Sequence, residues 1–328
     1  MTQDTAAYDH APSAAVVQVR DLIYDYPTAR ALFGVSFDIE PGSITALVGP
    51  NGAGKTTLMR CLAALETPYS GSVVVDGLDV EEHPRDIHKR LGFLQDFFGL
   101  YDDLSVRQCL DHHAAAHHVP WVERSAAVVQ SAERLGLSDR LEQKAGALSR
   151  GLRQRLAVAQ AIIHRPKLLL LDEPASGLDP EARQDLSRLL VTLRDEGMTL
   201  VVSSHILAEL EDYSTHIMIM RDGRVVDYAA LEQGAAAAPT TRMLAVLARP
   251  DARLGQVLRG TEGVTGVMDT ENNVGFDFAG DDEARAALLR QLVEAGLPLV
   301  EFRPVRRNMQ DVYLDRVGKS RDGGEGQS

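Results

Sequence analysis

Hydrophobic and polar positions change rhythm several times along the chain. Val35, Phe37 and Ile39 alternate with polar neighbours, the period-2 pattern of a strand with one buried face. Val16-Val17-Gln18-Val19 and Leu32–Ile39 therefore read as strands. Ser43–Val48, Lys167–Leu171 and Thr199–Ser203 are nearly unbroken apolar runs, as central parallel strands covered on both faces require. Shorter strands are predicted at Gly71–Val75 and Leu91–Leu94. Helical spacing appears at Thr57–Leu65, Ser105–His118, Val122–Leu135, Leu152–His164, Glu181–Glu196 and Leu207–Tyr213. Three of these helices fall together and predict a helical subdomain over about residues 97–165. Arg221-Asp222-Gly223 predicts the turn of a hairpin between His216–Met220 and Gly223–Val226.

Beyond this point the rhythm shortens. Gly234 through Pro239, with four alanines between, is the best linker candidate. It is followed by Thr241–Ala248 (strand), Leu254–Leu258 (helix), Val264–Asp269 and Asn273–Phe278 (strands), Asp282–Ala295 (helix) and Leu297–Phe302 (strand). That β-α-β-β-α-β order predicts a small ferredoxin-like α+β module, and Asn308–Arg316 reads as a last helix. The expected organisation is a disordered lead-in at 1–14, an α/β domain at 15–234, a linker at 235–240, an accessory domain at 241–317 and a disordered tail at 318–328.

Composition changes this picture little. The 328 residues are 45% hydrophobic and 25% charged, enough for a large core without staples. A formal net charge of −13 argues against a general nucleic-acid binder. The two cysteines, Cys61 and Cys109, read as small core residues of a protein kept in a reducing compartment. The first twelve residues lack the basic start and apolar middle of a secretory signal. No stretch approaches the length of a membrane span, so a membrane role would run through a partner.

The chemistry is concentrated at Gly49-Pro50-Asn51-Gly52-Ala53-Gly54-Lys55-Thr56-Thr57, which fits the phosphate-loop template G-x-x-x-x-G-K-[ST] at every fixed position. A buried strand enters it and a helix leaves it. Its successive N–H groups can cradle anionic oxygens, and the helix adds the positive end of its dipole. Lys55 can reach outer phosphates and the Thr56 hydroxyl can ligate Mg²⁺. Leu168–Leu171 then ends in Asp172-Glu173-Pro174. Asp172 would hold Mg²⁺ or its waters, and Glu173 would accept a proton from an attacking water.

Three further motifs bear on the reading: Leu148-Ser149-Arg150-Gly151-Leu152, Ser176-Gly177-Leu178-Asp179 and Ser203-Ser204-His205. With these in order, the chain from about Val16 to Gly234 resembles the ATP-binding-cassette ATPases, the motor subunits of ABC transporters. The resemblance implies a P-loop NTPase core, ATP and Mg²⁺ as ligands, and ATP hydrolysis. It implies nucleotide contacts from Gly49, Asn51, Gly52, Ala53, Gly54, Lys55, Thr56 and Thr57. Tyr26, 29 positions before Lys55, would stack on adenine, with Tyr24 the alternative. Gln95 would sense Mg²⁺ and the γ-phosphate, Ser149 and Gly151 belong to the signature motif, Asp179 belongs to the D-loop, and His205 is the switch histidine. Thr56, Gln95 and Asp172 would surround the metal, with Lys55, Gln95, Glu173 and His205 as the catalytic set.

The signature departs from Leu-Ser-Gly-Gly-Gln, since Arg150 replaces the first glycine and Leu152 the glutamine. This variant, and Asn308–Leu314 near the end, resemble the export-type branch for drugs, polysaccharides and lipids, whose cassettes pair with a separate six-helix permease. The implied partners are a second cassette in a homodimer or cassette dimer and an integral-membrane permease. The implied location is peripheral, on the cytoplasmic face of the cell membrane. The alternative is a soluble cassette ATPase not linked to transport, and a small-molecule kinase on the same loop is more remote. Phe97, Phe98, Leu100 and Tyr101 are either core or a groove for the permease. His113 and His117, spaced i, i+4, could share Zn²⁺, but a solvated polar face is the favoured reading. Arg303, Arg306 and Arg307 read as a solvated cluster.

Overall fold

The computed structural model describes residues 15–96, 99–231, 241–270 and 273–304, the side chains of Ala208 and Glu209 excepted. The lead-in, the linker, the helix at Asn308–Arg316, the tail, Phe97, Phe98, Arg306 and Arg307 lie outside the described residues. The described chain forms two compact units, one reaching Leu231 and the other running from Thr241 to Pro304.

The first unit runs β1 (Val17–Tyr26), β2 (Ala29–Ile39), β3 (Ile44–Val48), α1 (Lys55–Leu62), β4 (Ser70–Val75), β5 (Leu78–Asp79), α2 (Pro84–Arg90) and β6 (Leu91–Leu94). It continues with α3 (Val106–Ala116), α4 (Trp121–Arg134), α5 (Arg150–Ile162), β7 (Leu168–Asp172), α6 (Pro180–Asp195), β8 (Thr199–Ser204), α7 (Leu207–Leu210), β9 (His216–Arg221) and β10 (Arg224–Ala230). One sheet has the order β10-β9-β3-β8-β7-β6. It is parallel from β9 to β6, and β10 adds an antiparallel edge through the predicted hairpin. Every residue of β3, β7 and β8 is buried, which is why these strands read as unbroken apolar runs. An antiparallel sheet, β2-β1-β4-β5, shares a core with α1 and with alternate side chains of the parallel sheet, including Leu47, Leu168, Leu170, Val201 and Met218.

Local signals account for the helix starts. Ser105 and Gln108 form a capping box at α3. Ser149 caps α5, and Asp179 caps α6 ahead of Pro180. Two elements escape the pattern, β5 and α2; each is too short to show a period. The helix expected to reach Tyr213 stops at Leu210, where the Tyr213 and Ser214 amides turn back onto the Leu210 carbonyl. Cys61 and Cys109 are buried and unpaired.

Register positions the chemistry. Val48 pairs with Ser204 and Asp172 with Ser203, so β3, β8 and β7 end side by side at their C-terminal edge. That edge is where open parallel sheets bind ligands.

The second unit is β11 (Thr241–Leu247), α8 (Arg253–Arg259), β12 (Val264–Asp269), β13 (Asn273–Phe278), α9 (Asp282–Glu294) and β14 (Leu299–Pro304). Its antiparallel sheet has the order β12-β13-β11-β14. Met243, Ala245, Leu254, Leu258, Phe276 and Leu292 lie in its own core. Arg303 is exposed and pairs with Glu301 at 3.2 Å.

Candidate active site

The loop between β3 and α1 is shaped by glycines. Gly52 and Gly54 have φ of +80° and +99°, a region other residues enter only at a cost. At Gly49 a side chain would collide with the Met220 carbonyl of β9. Gly54 occupies the N-cap of α1, which has no side-chain cap and no acidic residue in its first turn. The positive end of α1 is therefore turned to the loop with no acidic residue of the helix's own first turn against it.

Lys55 is buried, and its Nζ donates to the Gly49 carbonyl at 2.8 Å and to the Pro50 carbonyl at 3.3 Å. Burial pulls the Lys55 ammonium below the usual lysine range, while the charges of Glu173 and Asp172 oppose that shift. An anion in the loop would offer the ammonium charged oxygens instead of neutral carbonyls, a stronger hydrogen bond.

Asp172 ends β7 with only 3% of its surface exposed. Its Oδ2 accepts from Thr56 Oγ1 at 2.7 Å and its Oδ1 from Ser203 Oγ at 2.5 Å. Ser203 also accepts the Glu173 backbone N–H at 3.0 Å. One hydroxyl thus orients a carboxylate and the turn that follows it. Glu173 sits at φ +49°, a strained backbone for a non-glycine residue. Its Oε2 meets His205 Nδ1 at 2.8 Å, just past β8. Thr56 and Asp172 are hard oxygen donors of the kind that could hold Mg²⁺.

Five predicted residues, Lys55, Thr56, Asp172, Glu173 and His205, therefore converge on one edge. Tyr26 joins them from β1: its hydroxyl lies 3.2 Å from Thr57 Oγ1 and its ring is 40% exposed. The alternative, Tyr24, is buried, donates to Glu66 at 2.7 Å, and is pushed up to about 12 by that bond and by burial. Of the two rings, only that of Tyr26 is open to a ligand. Ser203 has no role in the sequence reading; its signal was a hydroxyl inside a buried strand.

The remaining predicted residues stand outside this network. Gln95 is exposed just past β6, at a cavity of about 750 Å³ lined also by Ala63, Leu65, His88, Phe93 and His117. Ser149 and Asp179 are exposed, and each spends its side chain on its own helix. Ser149 Oγ accepts from the Leu152 amide at 3.4 Å, and Asp179 Oδ1 from the Ala182 amide at 2.8 Å. Tyr101 is exposed, with its ring edge-on to His112.

The histidine cluster is not a solvated face. The His117 ring lies parallel on that of His164 at 3.8 Å, and His164 Nε2 is 3.1 Å from the Leu91 carbonyl. Burial draws His113 and His164 down to about 4. The reason is tertiary: the end of α3 packs where α5 ends, which i, i+4 spacing alone does not reveal. Among the described residues no cluster of three metal-ligating side chains occurs.

Known proteins resemble the chain in sequence and in fold. A family model described as ABC transporter matches residues 32–176. The chain is 33% identical to the ABC transporter ATP-binding protein NatA of Bacillus subtilis over 204 residues, 62% of this chain and 83% of NatA. It is 31% identical to the daunorubicin resistance ATP-binding protein DrrA3 of Streptomyces coeruleorubidus, over 90% of this chain and 94% of DrrA3. Among solved structures, the ATP-binding subunit of an ABC transporter superposes with a TM-score of 0.60 at 28% identity, over 66% of this chain and 90% of that one. The dimeric cassette MJ0796 with ADP and Pi superposes with a TM-score of 0.60 over 66% of this chain and all of that one; at 24% identity this likeness concerns the fold.

Proposed function

The chain belongs to the ABC transporter family of ATP-binding proteins, with the P-loop NTPase fold and ATPase activity of that family, and from that premise we propose that two copies close on two ATP molecules to drive export through a separate membrane permease. The observation that carries this reading is the alignment of Lys55, Thr56, Asp172, Glu173 and His205 at three neighbouring strand ends.

In this reading the loop amides and Lys55 bind the phosphates, and Tyr26 stacks on adenine. Lys55 leaves the Gly49 and Pro50 carbonyls for the β- and γ-oxygens. Thr56 and Asp172 would hold Mg²⁺, which would offset the negative charge of the phosphates. Glu173 accepts the proton of the attacking water as its oxygen bonds to the γ-phosphorus and the bond to the bridging oxygen breaks. His205 donates from Nδ1 to Glu173 and keeps that carboxylate aimed. Gln95 links the γ-phosphate to the cavity beside it, where we place the permease contact. Exposed Ser149 and the Gly151 backbone two residues on complete the partner's site, together with Asp179 at the start of α6.

Energetics suit a switch. A ligand at 100 times its Kd contributes about 2.7 kcal/mol, so two ATPs supply roughly twice that. Moving an equilibrium from 1:99 to 99:1 takes about 5.5 kcal/mol. Among the described residues no helix is long and apolar enough to cross a membrane. We assign the chain to the cytoplasmic face, bound through its permease. The daunorubicin-resistance name of DrrA3, matched over nearly the whole chain, supports export.

Glu173→Gln is the test. It keeps the side-chain shape and removes the base, so an ATP-bound dimer should accumulate in size-exclusion chromatography. Normal turnover with no ATP-dependent dimer would defeat the assignment.

A further inference from the structure

One of the two residues that depart from the family signature makes a contact of its own. Arg150, the first residue of α5, reaches across to the segment after β7, where its Nη2 donates to the Ser176 carbonyl at 2.9 Å. Its guanidinium fills the space where a side chain at Gly177 would stand, and Gly177 has the φ of +67° that only glycine adopts without strain. One residue on, Gly151 lies against α6, since a Cβ there would come within 3.1 Å of Ala182 Cβ. A turn further along, Arg155 pairs with Asp185 of α6. The start of α5 is thus bound to the stretch from Ser176 to α6 by a hydrogen bond, a close backbone approach and an ion pair.

We propose that Arg150 is a positioning residue that couples the two ATP sites of the dimer. The proposal rests on the composite-site reading above. In that reading Ser149 addresses the nucleotide held by the partner, whereas Glu173 serves the chain's own nucleotide. Arg150 follows Ser149 directly and grips the carbonyl three residues after Glu173. When ATP draws in Ser149 at one site, the grip carries the displacement to the Glu173 segment of the other. The coupling needs only a cationic donor within reach of one carbonyl, so lysine should serve in part and alanine should not.

The experiment measures ATP hydrolysis against ATP concentration with the purified full-length chain and its Arg150→Ala and Arg150→Lys variants. The parent should hydrolyse ATP with a Hill coefficient above one. Arg150→Ala should bring the coefficient to one and raise the half-saturating ATP concentration about threefold to tenfold, the scale of an exposed charge-assisted hydrogen bond. Its saturated rate should fall far less, because Arg150 touches no reacting atom, and Arg150→Lys should recover part of the cooperativity. Arg150 is exposed, so all three proteins should melt together. A Hill coefficient in Arg150→Ala equal to the parent's overturns the proposal, as does a parent without cooperativity or a lysine variant no better than alanine. Glu173→Gln separates the two levels. If it forms the ATP-dependent dimer while Arg150→Ala keeps its cooperativity, only the coupling role falls. If no dimer forms, the composite site falls and the coupling with it.

Discussion

The two halves of the proposed site are built in opposite ways. On the phosphate-loop side, Lys55 and Asp172 are buried and every polar contact named there runs between parts of this chain. Thr56, Asp172 and Ser203 come from α1, β7 and β8, more than a hundred residues apart at the extremes, and the register of β3, β8 and β7 with the loop from β3 into α1 brings them together. On the signature side, Ser149, Asp179 and Arg150 are exposed, and their hydrogen bonds cap their own helices or tie one helix start to the next. The first half is preorganised within one molecule, as charge-handling groups require when reorganisation costs rate. The second is a held surface that, in the proposed dimer, would meet the nucleotide of the other copy.

The sharpest way to break this comparison is to remove one residue from each half. Lys55→Ala should weaken ATP binding about 100-fold or more, since it deletes a buried cation facing phosphate. Ser149→Ala should leave binding by the isolated chain within about twofold and weaken ATP-dependent dimerisation about tenfold. Titration with a fluorescent ATP analogue and light scattering read the two effects. Equal loss of binding in both variants would erase the distinction.

A smaller effect is expected at Ser203, which touches no ligand in the proposed mechanism. Ser203→Ala removes a donor to Asp172 and the acceptor of the Glu173 amide. The saturated hydrolysis rate should fall about tenfold with ATP affinity within about threefold. A rate equal to the parent's would mean the strand ends are held by packing alone.

Acid should act on the signature side first. The imidazoles of His113 and His164 are drawn down to about 4 by burial, against about 6.5 when exposed. Between those values the unfolded chain binds more protons than the folded one, so stability falls as pH drops from 6.5 towards 4 and is fully present above 6.5. The melting temperature should be about 5 °C lower at pH 5 than at pH 7. His164→Phe, which keeps a ring against His117, should flatten the dependence. Hydrogen exchange at pH 5 should open α3 and α5 before β3 and α1; the reverse order would dissociate the histidines from the helical subdomain.

Legibility in the sequence followed the range of the interaction. Gly49–Thr57 could be read because a phosphate loop is a local device, whereas the caps Ser149 and Asp179 showed themselves only in the structure, the helices having been expected from Leu152 and Glu181. The apolar runs of β3, β7 and β8 announced a covered parallel sheet. Spacing favoured Tyr26 over Tyr24, but the physical reason was not legible, because it depends on Glu66 and Thr57, far along the chain. Ser203 gave no signal beyond a hydroxyl in an apolar strand. The histidines misled for the same reason: His113 and His117 look like one exposed face until α5 brings His164 against them. Gln95 acquired a cavity but no bond to the Asp172 network.

The sequence by itself determined the phosphate-loop motif, the order of strands and helices apart from the short β5 and α2, and the family to which they belong, because these depend on residue type and short spacing. Tertiary structure decided which tyrosine is open, that Ser203 orients both carboxylate-bearing positions, that His113 and His164 are held neutral, and that Arg150 is tied to Ser176. Each of these depends on where parallel strands end or which helix lies alongside, and register and packing act between residues that no local pattern connects.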